Sequence, residues 1–556
     1  MVRLQEHLAS QVAGAKLLTS DTVKDQERVF ITDGEESRFA YYDNGILFVQ
    51  HGLKGTSDYM AVVRKIRKYK GANAVITPIQ VQSSDIADAY RDALSNRQDN
   101  AAFEDDSTAS ERLERQEMLA GLIEQAAKEG ATDIRILILP RNTDITIRVH
   151  GRLKTLSSLD PTEGLPLIKA AFAVASDTGS ETSTNSWMQG ALTKQKSGIL
   201  PKGIEMLRLQ YSHCSEGRGA LVMRLKYTPN TKDVDIDSLG YSPTHLQDFQ
   251  VMRTRTNGGY VLAGKVSSGK TTTLQRTLNK MTREKRGEIS SYSIESPVEL
   301  DLPSAIQVPV KNDEGFIKGL EAALRSDPNV IILGETRSKG TAYLALQAVM
   351  TGHALWTTVH AGSALGILDR MVDLGVEDWK LSDEKNIRGL IYQRLVGVMC
   401  PHCRMTLAEA FHAGEMDVEL GNKLVHIFGD SEGVHVRGDT KPDCPHKCKK
   451  GLVGRTVVAE TCLTDGKLLS MFVEGKRRDM LKYWTTPRAT DGTGGLGGKP
   501  VLHHALAKCG AGLVDPHEIQ EEVDLIDTYL DDFEHLIPTL REDVLVMTQA
   551  TKDKAA

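Results

Sequence analysis

Gly264-Lys265-Val266-Ser267-Ser268-Gly269-Lys270-Thr271 decides the fold of this chain. The run matches the pattern G-x-x-x-x-G-K-[ST] in full. An apolar stretch, Tyr260 to Ala263, precedes it, and a helix-like stretch, Thr272 to Lys280, comes after it. Strand, loop and helix in that order are the context that gives the pattern its meaning. Gly264 and Gly269 let the backbone turn so that successive N–H groups point inward at phosphate oxygens. The following helix offers its positive end to the same anion. Lys270 is expected to reach the β- and γ-phosphates of ATP, and the Thr271 hydroxyl to bind Mg²⁺. Ser267, Ser268 and Thr272 complete the expected nucleotide-binding set.

Outward from the loop, residues 236–400 alternate strands and helices. That pattern predicts an α/β fold, a mostly parallel P-loop sheet with helices on both faces. At 556 residues the chain is too long for one core, and several domains are expected. Residues 1–98 form a first α+β unit with a hairpin across Arg38–Gln50 that turns at Asn44-Gly45. Met60–Lys70 reads as a helix rich in Arg and Lys. It is either a solvated face or a docking surface for an acidic partner or anionic membrane. Asn96–Ser110 is a polar linker. A second α+β unit spans 110–235, opening with a helix over Glu111–Glu129. Strands are expected at Asp133–Leu139, Asp144–His150, Met206–Tyr211 and Ala220–Tyr227. The ATPase-type unit extends over 236–525. Thr490–Lys499 reads as a flexible glycine-rich loop. Residues 515–545 carry eleven acidic side chains and one Arg. With Leu525, Ile526, Tyr529 and Leu530 at helical spacing, the segment 526–556 is expected as an acidic helical tail.

Apolar content of 40% and charged content of 26% fit a soluble globular protein. A net charge of −6 argues against wholesale nucleic-acid binding. No apolar run reaches the ~18 residues needed to span a bilayer. The N-terminus lacks a secretory signal core, so a cytoplasmic location is expected.

Three segments beyond the phosphate loop narrow the chemistry. Ile294-Glu-Ser-Pro-Val-Glu299 comes 24 residues after Lys270. Asn329-Val-Ile-Ile-Leu-Gly-Glu335 is an apolar strand ending in a carboxylate. Such a strand is expected beside the phosphate-loop strand, placing Glu335 near Mg²⁺ and the γ-phosphate. Thr351-Gly-His-Ala-Leu-Trp-Thr-Thr-Val-His360 is a strand bracketed by His353 and His360. Hydrolysis needs Mg²⁺, an oriented water, a carboxylate to share its proton and positive charge on the phosphoryl oxygens. These carboxylates and histidines, with Arg325 and Arg337, offer each part. Taken singly, Glu295 or Glu299 is an ordinary loop acid, His353 a turn cap and His360 a buried histidine; their joint order gives them weight.

In that order the chain resembles the secretion ATPase superfamily of type II secretion and type IV pilus systems. The four boxes are the Walker A loop at Gly264–Thr271, an Asp box at Glu295–Glu299, a Walker B ending Gly334-Glu335, and a His box at Thr351–His360. Upstream, Gly130-Ala-Thr-Asp-Ile-Arg135, Ile147–Leu153, Leu207-Arg208 and Arg218–Arg224 resemble the family's N-terminal sensor-like domain. The resemblance covers about residues 110–525. It implies a RecA-like ATPase domain and a role for each residue. Glu299 would be the general base, with Glu295 beside it in the Asp box. Glu335 would organise Mg²⁺ and water. His353 and His360 would couple the γ-phosphate to domain motion. Arg208 and Arg224 would reach the nucleotide when the N-terminal domain closes, or else are plain surface charges. The chain departs from the family at Ser296, where Asp is usual, and at Lys265 and Ser267, where Pro and Gly are usual.

Seven cysteines, unevenly spread, do not look like a disulfide framework. Cys400-Pro-His-Cys403 and Cys444-Pro-His-Lys-Cys448 each set two thiols on a tight turn, 40 residues apart. Two such knuckles predict a structural Zn²⁺ site, with His402 and His446 as possible substitute ligands. Redox or unliganded pairs are the other reading. In assembly-type members of the superfamily a tetracysteine insert comes after the His box, here 400–465, with Gly451–Arg455 and Glu460 as its exit; retraction motors usually lack it.

The resemblance implies an ATP-hydrolysing motor for pilus assembly or type II-like secretion, working as a homohexamer at the inner face of a Gram-negative inner membrane. Its partner would be the polytopic platform protein of that machine, with no direct nucleic-acid contact. The altered boxes point to a divergent branch of thin or bundle-forming plasmid pili. Two rivals are a conjugation or DNA-transport ATPase of the same fold and a nucleotide-binding scaffold without turnover.

Overall fold

A computed structural model of the chain describes residues 17–19, 29, 38–71, 73–82, 84–86, 89, 109–175, 188–214, 218–228, 235–296, 298, 302, 304–489, 491 and 493–555. Glu299 and most of the expected linker at 96–110 lie outside the described residues. The chain divides into two compact units, Met1–Thr228 and Pro229–Ala556.

The first unit holds two sheets. In the smaller one, β1 (Phe39–Tyr41) and β2 (Ile46–Gln50) form the expected hairpin. Gly45 takes φ +87° at the turn, a conformation that favours glycine. Helix α1 (Ser57–Lys70) then crosses to β3 (Thr77–Val81), which pairs parallel with β2. Val62, Val63 and Ile66 face the core, while Arg64, Arg67, Lys68 and Lys70 stay exposed. The larger sheet comes after helix α2 (Ala109–Lys128). It contains β4 (Asp133–Ile138), β5 (Thr143–Val149), β6 (Arg152–Leu159), β7 (Met188–Thr193), β8 (Ile204–His213) and β9 (Gly219–Tyr227), ordered β6-β5-β4-β9-β8-β7 with antiparallel neighbours. Its core face is built by alternation: Ile145 and Ile147 are fully buried, as are Leu207 and Leu209. Helix α2 and helix α3 (Pro161–Ala173) cover that face through Leu119, Ile123, Leu167 and Ile168.

The second unit is built on a seven-stranded sheet. Helix α4 (Pro243–Thr254) leads into β10 (Gly258–Ala263), and the phosphate loop into α5 (Lys270–Glu284). Next come β11 (Ser291–Glu295), β12 (Ile306–Pro309), α6 (Asp313–Leu324), β13 (Val330–Leu333), α7 (Lys339–Met350), β14 (Ala354–Val359) and β15 (Ile387–Met399). After the cysteine segment, β18 (Leu452–Leu463) closes the edge antiparallel to β15; the other neighbours are parallel. Every residue of β10 is buried, because helices cover both faces. Val261 and Ala263 meet Ala342 and Leu346 on one side. Tyr260 and Leu262 meet Phe249, Met252 and Leu274 on the other.

Three expectations change here. The sheet order is β12-β11-β13-β14-β10-β15-β18, so the strand ending at Glu335 is not beside β10. The His-box strand β14 lies between them, which sets β13 about 10 Å from β10. Next, β18 belongs to the main sheet, so the insert proper is 400–451 rather than 400–465. It carries the short pair β16 (Met405–Thr406) and β17 (His435–Val436), with helices α8 (Leu407–Ala413) and α9 (Val418–Phe428). Finally, the acidic segment is helical but not a free tail. Helices α10 (Val501–Gly510), α11 (Ile526–Phe533) and α12 (Ile537–Ala555) share one core with the insert, joining Leu506, Ile526, Tyr529 and Leu540 to Leu407, Leu424 and Ile427. The glycine-rich stretch before α10 is likewise packed. A Cβ on Gly498 would fall 2.0 Å from the Trp484 indole nitrogen.

Candidate functional site

Parallel strands deliver their C-terminal ends to one edge of the sheet, and this fixes the site. Ala263 pairs with Val359, Leu333 with Thr357 and Ile294 with Leu333. The phosphate loop, Glu295, Glu335 and His360 therefore leave the sheet along the same edge.

The loop's shape is set by its contacts. A Cβ on Gly264 would lie 2.4 Å from the Gln393 carbonyl oxygen, so no side chain fits there. Gly269 takes φ +83° and opens α5 without a side-chain cap, leaving the helix start to a ligand. Ser267 holds φ +63°, costly for a residue with a Cβ, at the position where glycine would be unstrained. Lys270 Nζ bridges the loop by donating to the carbonyls of Gly264 at 2.8 Å and Lys265 at 3.0 Å. Thr271 and Thr272 are half-buried in the first turn of α5. Ser268 is 4% exposed, and its hydroxyl oxygen finds no hydrogen-bond partner among the described residues. A buried polar atom left without a partner is costly. An uncapped helix start, a lysine and an orphan hydroxyl together fit a phosphate group.

Glu335 and His360 form a pair, with His360 Nε2 3.4 Å from the Glu335 carboxylate and both side chains partly exposed. Their strand ends are laced together. Thr358 donates to the Gly334 carbonyl at 2.7 Å, and Thr336 meets Thr357 at 2.7 Å. Glu295 is buried and accepts from Ser293 at 2.7 Å and Gln307 at 2.9 Å. Ser296 beside it is exposed. His353 stands apart. It precedes β14, at the end of the strand opposite the loop, and its Nδ1 lies 3.0 Å from the Ala348 carbonyl. The length of β14 puts it about 20 Å from His360. Arg325 caps the far end of α6 and precedes β13, away from the loop edge. Arg337 is held by Asp313 at 2.9 Å.

In the first unit, Arg208 and Arg224 are cross-strand partners on the face opposite the core. Arg224 Nε donates to the Asp133 carboxylate at 3.0 Å, so it is already paired.

The four paired cysteines converge. Sγ atoms of Cys400 and Cys444, Cys444 and Cys448, and Cys448 and Cys403 are each 3.6 Å apart. Zn–S bonds of about 2.3 Å in a tetrahedron give S···S edges of about 3.8 Å, so the donor set fits Zn²⁺. Hydrogen bonding from the Cys448 N–H lowers the Cys444 thiol, whereas burial raises Cys400 beside it. His402 and His446 are not in the cluster, which is made of these four thiols. Cys400 directly succeeds β15 and Cys448 leads into β18, so the cluster closes the base of that long ribbon.

Two residues behind the loop are invisible to motif reading. Tyr241 and Gln393 are buried and bonded to each other and to the loop segment. Gln393 lies 123 positions beyond Lys270, and no local pattern marks it.

Curated relatives match about two thirds of the chain. Type II secretion system protein E of Klebsiella pneumoniae is 30% identical over 354 residues, covering 63% of this chain and 66% of that protein. Type II secretion system ATPase E of Vibrio cholerae is 29% identical, covering 67% and 71%. The type IV pilus assembly ATPase TfpB of Acinetobacter baylyi is 30% identical, covering 65% and 58%. The chain thus spans about two thirds of the length of the curated relatives it matches. The sequence model for type II/IV secretion system proteins matches residues 108–493, and the chain belongs to that family.

Proposed function

We propose that the chain is a Mg²⁺-dependent ATPase motor that powers type IV pilus assembly or type II-like secretion. The observation that carries this reading is the phosphate loop, set on the same sheet edge as the Glu335–His360 pair. Lys270, now spent on two loop carbonyls, would turn its charge to the phosphates. Glu335 would orient the attacking water and His360 would hold Glu335 in place. Glu299 remains the proposed general base, with Glu295 beside it in the Asp box. Thr271 would hold Mg²⁺, which supplies charge neutralisation of phosphate oxygens when bound. Arg208 and Arg224 would bring positive charge to the nucleotide. His353 is proposed to act in coupling from the opposite edge. Cys400, Cys403, Cys444 and Cys448 would hold a structural Zn²⁺.

Among the described residues no helix is long and apolar enough to cross a membrane. Membrane work would pass through a platform protein at the inner face of the inner membrane, with the chain as a cytoplasmic homohexamer. The membership shared with a named pilus assembly ATPase supports the assembly reading. Phosphate release from ATP by the purified chain tests it. Turnover should appear with Mg²⁺, vanish in Lys270→Ala, and fall at least about a hundredfold in Glu335→Gln with ATP binding kept. Wild-type turnover in Lys270→Ala would sink the assignment.

A further inference from the structure

Behind the phosphate loop runs a short buried chain of hydrogen bonds whose direction is fixed. Gln393 Nε2 donates to the Ser268 carbonyl at 2.6 Å. A carbonyl can only accept, so this end sets the amide, and Gln393 Oε1 must face the other way. There it accepts from the Tyr241 hydroxyl at 2.5 Å. That hydroxyl has given its one proton, so Thr273 Oγ1, 3.1 Å away, donates to it. The path Thr273 to Tyr241 to Gln393 to Ser268 starts in the first turn of α5 and ends in the loop. Burial raises the Tyr241 pKa, which keeps it a donor at neutral pH.

Both motif glycines lean on the same residue. A Cβ at Gly264 would meet the Gln393 carbonyl at 2.4 Å, and one at Gly269 would meet its Nε2 at 3.3 Å. Gln393 is therefore the surface on which the loop is moulded. The peptide between Ser268 and Gly269 is planar and trans, so its C=O and N–H point in opposite directions. Holding the Ser268 carbonyl against Gln393 turns the Gly269 N–H the other way. If that peptide flipped, a carbonyl would replace an N–H donor in the anion cradle and would repel phosphate.

We propose that Gln393 and Tyr241 are positioning residues for the nucleotide, holding the Ser268–Gly269 peptide in the orientation that binds phosphate. This rests on the reading of the loop as an ATP site, and it names two residues outside the four boxes. Tyr241 also lies on the segment that begins the second unit. Asp235 and Asp237 of that segment pair with Arg283 and Lys280 of α5, so the Tyr241 segment is tied to the phosphate-loop helix near its start, at Thr273, and near its end.

The test is steady-state ATPase kinetics and thermal melting of the full chain. Gln393→Met keeps the length and loses both hydrogen bonds. Its KM for ATP should rise roughly tenfold or more, by two net hydrogen bonds. The kcat should hold within about threefold, because bound phosphate itself then keeps the peptide in place. Tyr241→Phe, which removes one oxygen, should raise KM about threefold, and the double variant should add little to Gln393→Met alone. A KM within about twofold of wild type in both single variants overturns the proposal, as does a lower melting temperature with KM unchanged. If Gln393→Met does not fold, Tyr241→Phe decides by the same criteria. Lys270→Ala separates this from the parent reading. Where Lys270→Ala is dead and both brace variants match wild type, the brace alone fails. Where wild-type protein binds no ATP, the reading of the loop fails and the brace with it.

Discussion

Ser267 shows how one residue carries both a departure from the family and its physical consequence. Glycine is usual at this point, and the structure gives the reason, since the backbone there is left-handed at φ +63°. Serine bears a strain of about 1–2 kcal/mol for its Cβ. Ser267→Gly relieves that strain but adds about 1 kcal/mol of unfolded-state entropy. The two effects nearly cancel, so Ser267→Gly should leave the melting temperature and ATP affinity unchanged. Ser267→Ile adds a branched Cβ in the same conformation and should destabilise the second unit by about 1–2 kcal/mol more and weaken ATP binding. Equal melting and affinity for the two variants would contradict the left-handed loop. Lys270, Gly264 and Gly269 were readable because a phosphate cradle has one local solution in sequence. Gln393 and Tyr241 were not, because the contact that gives them meaning joins segments more than a hundred residues apart.

The cysteine insert makes the equivalent case for an element. Its knuckles pin the ends of β15 and β18, while α8 and α9 pack on α10, α11 and α12 in one core. Purified protein is expected to contain one zinc per chain, read by elemental analysis. Cys400→Ser or Cys444→Ser should release it and cost the second unit on the order of 3 kcal/mol, measured by urea unfolding. That is well below the ~10 kcal/mol of structural zinc in isolated peptides, because the shared core around Leu424 and Ile427 survives. ATP binding should persist. Tyr392 of β15 is level with Ala263 at the loop edge, and Cys400 lies about 25 Å further along that strand. Reduced protein with no zinc would return the four cysteines to ordinary thiols. Two short Cys spacings could be read from sequence alone, as could the strand alternation of Ile145 and Ile147. The position of β14 between β13 and β10 could not. Hydrophobic runs mark a buried strand but do not say which neighbour it takes, and crossover helices decide that. The packing of the acidic run at 515–545 was hidden for a related reason. Its charge is counted over the whole segment, whereas Ile526, Tyr529 and Leu540 form an apolar stripe that finds a core only once the insert is folded.

For the molecule as a whole, the least expected feature is a set of buried histidines that must be neutral. His504 is 2% exposed, and its Nδ1 accepts from the Ala459 N–H at 3.0 Å, which only the uncharged ring can do. His245 lies beside it, with 4.6 Å between ring centres. Burial pulls His245 down to about 3, with the Lys499 and Lys508 ammonium groups adding to the effect. Burial likewise lowers His504 and, against the pull of Asp543, His503. Unfolded histidines titrate near 6.5, so below that pH the unfolded chain binds protons that the folded chain refuses. The stabilisation from these rings is complete above about pH 6.5 and is lost as pH falls toward 3. Glu460 works in the opposite sense. Burial raises its carboxyl to about 7, so its contribution is present below its unfolded value of 4.5 and is lost as pH rises through 7. His245 and His504 outweigh one glutamate, leaving a net uptake of about one proton on unfolding and a slope of at most roughly 1.4 kcal/mol per pH unit. The melting temperature should therefore fall steeply between pH 6.5 and 5. His504→Gln should flatten that fall by about one proton, because a neutral amide cannot take up the charge. A melting temperature independent of pH across this range in the wild-type chain would mean that these rings are charged, or exposed, in the folded protein.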